Sequence, residues 1–286
     1  MNESAIVDKP GTPLVSVCVP TYKGGAYLAA AIDSVLAQSY EHLELIVVDD
    51  NSPDDTAAIV AAYDDPRIQY FKNPANLGPQ GNWNRCLDLA VGKYFKLLPH
   101  DDLLAVDCLE TQVRILEADR EQSIALVFGS REIIDPTGRV LMKRGCGSLA
   151  AGRISASALA RRCIRAGTNV IGEPGNGLFR RSLIEKIGPY DATFPYVVDL
   201  DYWFKVMLHG DAYYTNTTTS SFRISSGQWS VAIGNKQHAD FKGFTDRFAT
   251  YPRFAISTLD KLIGQCKAPL NTVARALFYR YLFTGK

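Results

Sequence analysis

Residues 15–56 read VSVCVPTYKGGAYLAAAIDSVLAQSYEHLELIVVDDNSPDDT. Two short runs rich in β-branched residues, 14–19 and 43–48, bracket a stretch with Leu28, Ile32, Val35 and Leu36 at helical spacing. The pattern predicts strand, helix, strand. Pro20 ends the first strand, and Asp49 and Asp50 end the second. Ser52, Pro53 and Asp55 then form a helix-start signature: a cap, a proline at the first helical position, and an acid three residues after the cap.

The alternation continues outward. Residues 68–71 and 94–98 predict further strands, with a helix over 82–91 between them. Alternating strands and helices imply an α/β fold with a mostly parallel sheet covered on both faces. Ligands of such sheets gather beyond the carboxyl ends of the strands. Pro20-Thr21-Tyr22, Asp49-Asp50-Asn51 and His100-Asp101-Asp102 all fall at those ends. Three strands thus deliver polar groups to one edge.

Beyond residue 105 the pattern loosens. A helix (107–119) and a strand (124–128) precede a hairpin turned at Asp135-Pro136-Thr137-Gly138. Residues 143–152 read as a Gly- and Ser-rich loop. A helix over 199–208 stops at Gly210, a strand follows over 212–224, and the chain after a loop at 225–236 reads as helical.

The 286 residues are 47% apolar, enough for a substantial core, and carry a formal net charge of +1. That balance argues against a dedicated nucleic-acid binder. The six cysteines are scattered without C-x-x-C spacing, which argues against a zinc site and for buried, reduced thiols. The first residues are polar, unlike a signal peptide, and no run reaches the ~20 apolar residues of a spanning helix. A cytoplasmic location is expected, with any membrane contact made from the surface.

Asp101 and Asp102 follow an apolar strand. Adjacent carboxylates raise each other's pKa unless a cation lies between them. They read either as a site for a hard divalent ion or as a solvated turn. Asp49-Asp50-Asn51 carries the same ambiguity, with a carboxylate that hydrogen-bonds a base or ribose as the further alternative. Asp199 and Asp201 open a helix, where an acid is either an ordinary cap or a general base.

Together these motifs resemble the inverting family-two glycosyltransferases of GT-A fold, from about residue 14 to about residue 230. The resemblance rests on the opening segment, on NPANLGPQGNWNRCLDLAVGKYFKLLPHDDLL, and on EPGNGLFRRSLIEKIGPYDATFPYVVDLDYWFKV. It implies a Rossmann-like sheet with a helical C-terminal extension. A flexible leader (1–12) precedes a transferase domain (13–232), which divides into a nucleotide-binding half (13–104) and an acceptor half (105–232). The extension covers 233–286.

The resemblance also implies roles. Pro20, Thr21, Tyr22, Asp50, Asn51, Gly78, Asn82 and Asp101 would bind the nucleotide, Asp101 reaching ribose or metal. Asp102 would hold the metal, Mn2+ or Mg2+, and Asp199 would be the catalytic base. Trp203 and Asp201 would lie on the acceptor side. The donor would be a nucleoside-diphosphate sugar, UDP or TDP, and the acceptor a saccharide or lipid-linked sugar. The sequence departs from the family's pattern at Pro99, Val198 and Ser225, where an aspartate, a glutamate and a histidine are usual. Gln228 and His238 are candidates to replace that histidine. These departures keep open a second reading, a catalytically inactive nucleotide-sugar-binding protein. The tail, VARALFYRYLFTGK, mixes aromatic and basic residues and suits either a membrane interface or packing on the core.

Overall fold

The computed structural model describes residues 14–147, 149–225 and 237–284; the leader and residues 226–236 lie outside them. The chain runs through β1 (Val15–Thr21), α1 (Leu28–Leu36), β2 (Leu43–Asp49), α2 (Thr56–Ala61), β3 (Ile68–Lys72), α3 (Gly78–Leu89) and β4 (Tyr94–Leu97). Next come β5 (Leu103–Leu104), α4 (Cys108–Ala118), β6 (Ile124–Ile134), β7 (Val140–Arg144), β8 (Gly152–Ile154) and α5 (Ala156–Ala166). Then follow β9 (Gly177–Arg180), α6 (Ile184–Ile187), α7 (Val198–Met207), β10 (Asp211–Arg223), α8 (Gln237–Ala249) and α9 (Thr258–Thr284).

Every residue of β1 and β2 is buried. Side chains alternate between the faces of a strand, so continuous burial requires a layer on each side. Val15, Val17, Val19, Leu43, Leu45 and Val47 enter one core, which includes residues of α1 and α4. Cys18, Ile46 and Val48 enter the other, with residues of α3, α5, α7 and α8. Phe204 of α7 packs on Phe244, Phe248 and Phe254 at ring separations of 4.8, 5.1 and 5.0 Å, anchoring α8 to this second core.

The sheet order is β3-β2-β1-β4-β9-β6-β10-β5, with β7 added to β6 and β8 to β10. The first four strands are parallel, as are β6 and β10, but β9 runs antiparallel between β4 and β6. One sheet therefore joins the two sequence halves.

Local differences from the predicted elements have visible causes. Ser52 caps no helix: its Oγ accepts the Lys23 N–H at 3.0 Å and its own N–H donates to Asp49 Oδ1 at 2.8 Å. The chain bends there, and α2 begins at Thr56. α3 begins at Gly78, earlier than the apolar pattern indicates. β6 continues to Ile134, and Gly138 N–H donates to Asp135 O at 2.9 Å to close the hairpin into β7. The tail aromatics Phe278 and Tyr279 are half-buried, while Leu259, Leu262, Leu270, Val273 and Leu277 are exposed by 55% to 68%.

Candidate active site

The parallel strands set the ends of β1 and β2 side by side, with Thr21 opposite Asp49 in register. Asp50 N–H donates to Thr21 O at 2.8 Å. The Asp50 carboxylate is buried and accepts from Leu77 N, Gly78 N and Asn73 Nδ2 at 2.8, 2.9 and 2.9 Å. Bonds to an ionised acceptor are worth about 1.5–3 kcal/mol each, so Asp50 pins the loop that leads into α3. Gly78 has φ +74°, a region where a Cβ is strained. Asn82 donates to Val48 O at 3.0 Å and accepts from Asn73 at 3.0 Å, binding α3 to the same corner. Thr21, Asp50, Gly78 and Asn82 thus form one hydrogen-bonded cluster, with the Thr21 hydroxyl buried and without a hydrogen-bond partner. Pro20 is buried beneath it, while Tyr22 and Asn51 are exposed at its rim.

The acidic turn lies one strand across. Asp102 N–H closes it on Pro99 O at 3.0 Å, so Pro99 shapes the turn through its carbonyl. Asp102 is buried, and its Oδ1 accepts Arg223 N–H at 3.0 Å. Burial, followed by the charge of Asp101, pushes the Asp102 carboxyl well above the usual carboxylate range. Arg223 Nε donates to Asp101 O at 2.9 Å, and its guanidinium covers the Tyr27 ring at 4.6 Å. The end of β10 is thereby stitched to the acidic pair. His238 lies on α8, and Gln228 falls outside the described residues.

Asp199 occupies the first turn of α7, where its Oδ1 accepts the N–H of Leu200 at 2.7 Å and its Oδ2 accepts Asn169 Nδ2 at 2.8 Å. Asn169 Oδ1 accepts the N–H groups of Ile171 and Gly172, both at 3.0 Å, fixing a tight turn. Gly172 has φ +114°, and a Cβ there would stand 2.8 Å from Asn176 Nδ2. Burial, then the charge of Glu173, pushes Asp199 up to about 7, against the lowering effect of its hydrogen bonds and of Arg131. Arg131 Nε stands 2.5 Å from Glu173 Oε2. Glu173 acts on Asp102 as well, so one carboxylate lies within electrostatic reach of both acids.

Asp201 and Trp203 are turned into the fold. Asp201 is 1% exposed and ion-paired with Lys205 and Arg247, both at 3.0 Å. The Trp203 indole donates to Gly172 O at 2.9 Å from within the core, supporting the turn that precedes Glu173. Asn169, Arg131 and Glu173 went unnoticed in the sequence. For Asn169 and Glu173 the signal was the T-N-V-I-G-E run, an amide, a glycine and an acid in one short turn, whereas Arg131 lies apart from it in β6.

A sequence profile described as Glycosyl transferase family 2 matches residues 16–188. An uncharacterized glycosyltransferase of Rickettsia bellii (strain RML369-C) is 32% identical over 225 residues, which are 77% of this chain and 31% of that protein. The UDP-Glc:alpha-D-GlcNAc-diphosphoundecaprenol beta-1,3-glucosyltransferase WfgD of Escherichia coli is 34% identical over 122 residues, 43% of this chain and 47% of that one. Among solved structures, S. aureus TarS 1-349 in complex with UDP-GlcNAc superposes with a TM-score of 0.63 at 17% identity, covering 94% of this chain and 73% of that one. The matches span between 31% and 66% of the length of the first six curated relatives. The likeness to TarS gives the GT-A fold to this α/β sheet and its C-terminal helices.

Proposed function

This chain belongs to glycosyl transferase family 2, and on that footing we propose that it moves a sugar, with inversion, from a nucleoside-diphosphate donor to a hydroxyl of a saccharide or lipid-linked acceptor. The setting would be surface-polysaccharide or glycoconjugate assembly. The observation that carries this reading is Asp199, a carboxylate aimed by two hydrogen bonds and raised to about 7. A base works best with a pKa near the working pH. Asp199 takes the proton of the acceptor hydroxyl, whose oxygen attacks the anomeric carbon from the face opposite the diphosphate. The transition state has oxocarbenium character, and the diphosphate leaves toward the acidic turn. The corner held by Asp50, with Tyr22 at its rim, takes the nucleotide.

Asp101 and Asp102 fit a hard divalent ion, Mn2+ or Mg2+. They offer oxygen donors, and their mutual repulsion, which adds to burial in raising Asp102, is what a cation relieves. No cluster of three His, Cys, Asp or Glu side chains is gathered among the described residues. Phosphate oxygens of the donor would therefore complete much of the shell. When bound, the ion supplies positive charge to the departing diphosphate.

The Escherichia coli relative is a UDP-Glc:alpha-D-GlcNAc-diphosphoundecaprenol glucosyltransferase, which supports UDP, ahead of TDP, and a lipid-linked acceptor. No helix among the described residues is long and apolar enough to cross a membrane. Surface contact through the outer face of α9 would bring the chain to such an acceptor.

Thermal melting with UDP, TDP and GDP, each with and without manganese, tests the donor site in the wild type and in Asp102→Ala. The expected result is a manganese-dependent rise with UDP or TDP that the variant loses. A flat response to all three nucleotides would reject the reading and favour a protein without transfer activity.

A further inference from the structure

Arg131 and Arg144 are direct partners across the β6–β7 hairpin. Like charges opposite one another on antiparallel strands are destabilising, so the pair calls for an anion. Arg131 is 3% exposed, and its Nη2 donates to Asn169 O at 3.4 Å. Its Nε meets Glu173 Oε2 as an ion pair outside hydrogen-bond geometry, and its buried Nη1 has no hydrogen-bond partner. Arg144 is exposed and hydrogen-bonds through its side chain to none of the described residues. A third guanidinium, Arg275 of α9, arrives from the far end of the chain and donates to the Tyr196 hydroxyl and to Gln237 Oε1. Arg144 feels the charges of both Arg131 and Arg275, with Glu173 as the opposing carboxylate. Arg144 thus lies within electrostatic reach of two further guanidiniums and of Glu173, and Glu173 and Arg131 both act on Asp199.

We infer that Arg131, Arg144 and Arg275 form a receptor for a phosphate group carried by the acceptor, next to the sugar whose hydroxyl Asp199 activates. Guanidinium forks match phosphate oxygens in pairs and are weakly hydrated, so they bind phosphate well in a partly buried setting. Arg131 supplies a buried donor, Arg144 an accessible one, and Arg275 closes the side formed by α9. Glu173 sets the position of Arg131 and leaves the cluster with excess positive charge. The assignment to the acceptor rests on the proposed role of Asp199; the anion site itself rests on the arginines.

The test is calorimetric titration of inorganic pyrophosphate into the full chain in metal-free buffer, alone and with UDP. Binding that UDP does not displace is expected, weakened at least about tenfold in Arg144→Gln and in Arg275→Gln. Arg144 is exposed, so its variant keeps the fold, and an unchanged melting temperature checks this. Absence of binding, displacement by UDP, or wild-type affinity retained in either variant would overturn the site. Glucuronate binding in place of pyrophosphate would also overturn it. Geranyl diphosphate binding more tightly than pyrophosphate assigns the phosphate to a lipid carrier, and equal affinity assigns it to a free or polymer-borne phosphate; both support the receptor. UDP binding with manganese, measured separately, reports on the donor site. UDP bound without pyrophosphate overturns the anion site alone. Arginine-dependent pyrophosphate binding without UDP binding overturns the nucleotide-sugar reading alone.

Discussion

Asn169 Nδ2 donates to Asp199 Oδ2 at 2.8 Å, so a turn 30 residues earlier in the chain aims the carboxylate proposed as base. Asp199→Asn is expected to lower turnover by about 10²–10⁴-fold while leaving UDP affinity unchanged. Steady-state rates and nucleotide titration check the two halves; normal turnover would remove Asp199 from the mechanism.

The same substitution has a stability consequence. Asp199 is raised to about 7, so between pH ~4 and ~7 the folded chain binds more protons than the unfolded one, and stability falls as pH rises. Above pH 7 the full penalty of the desolvated, half-buried charge applies. Asp199→Asn should therefore stabilise the protein at pH 8, by on the order of 1–2 kcal/mol after loss of one hydrogen bond. At pH 4 the gain should vanish. Denaturant melts at the two pH values measure the difference.

Glu173 contributes to the raised state of Asp199 through its charge. Glu173→Gln should lower the Asp199 pKa and move the acid limb of the kcat/KM profile to lower pH. A limb that stays in place would mean that Glu173 does not act on the base electrostatically.

Asp50 receives two backbone N–H groups and one side-chain amide. In Asp50→Ala these donors lose their acceptor, at a cost of about 2–4 kcal/mol, and UDP affinity should fall with the loosened loop. Melting and UDP titration of that variant report both effects. A stable variant with normal UDP binding would show that the loop holds itself.

The outer face of α9 carries Leu259, Leu262, Leu270, Val273 and Leu277. If this face meets lipid, Leu270→Glu with Leu277→Glu should abolish flotation of the full chain with anionic vesicles and leave transfer to a short water-soluble acceptor intact. Equal flotation of wild type and double variant would assign the stripe to another partner.

The corner proposed for the nucleotide was legible because strand ends are marked by abrupt changes in polarity: VVDD and LLPHDD announce themselves, and the parallel sheet brings them together. The acceptor side was less so. Helix α5 carries clear signals, a Ser155 side chain that accepts Ala158 N–H and a left-handed Gly167, yet its several arginines obscured the apolar stripe. β9 is four residues long and gains its strand character from β4 and β6 on either side, which no local pattern encodes. The turn at 135–138 was foreseen, but Arg131 lies beyond the expected end of β6 and Arg144 where a loop was expected, and the approach of Arg275 depends on how α9 folds back.

Arg275 reaches Tyr196 across 79 residues of sequence, whereas the Thr21–Asp50–Gly78–Asn82 corner is complete within the first third of the chain. The proposed donor and acceptor sites are thus encoded in separable stretches. Exchanging the last helix between homologues is a route to retargeting the protein, because such a graft rewrites one wall of the arginine cluster and leaves the nucleotide corner untouched.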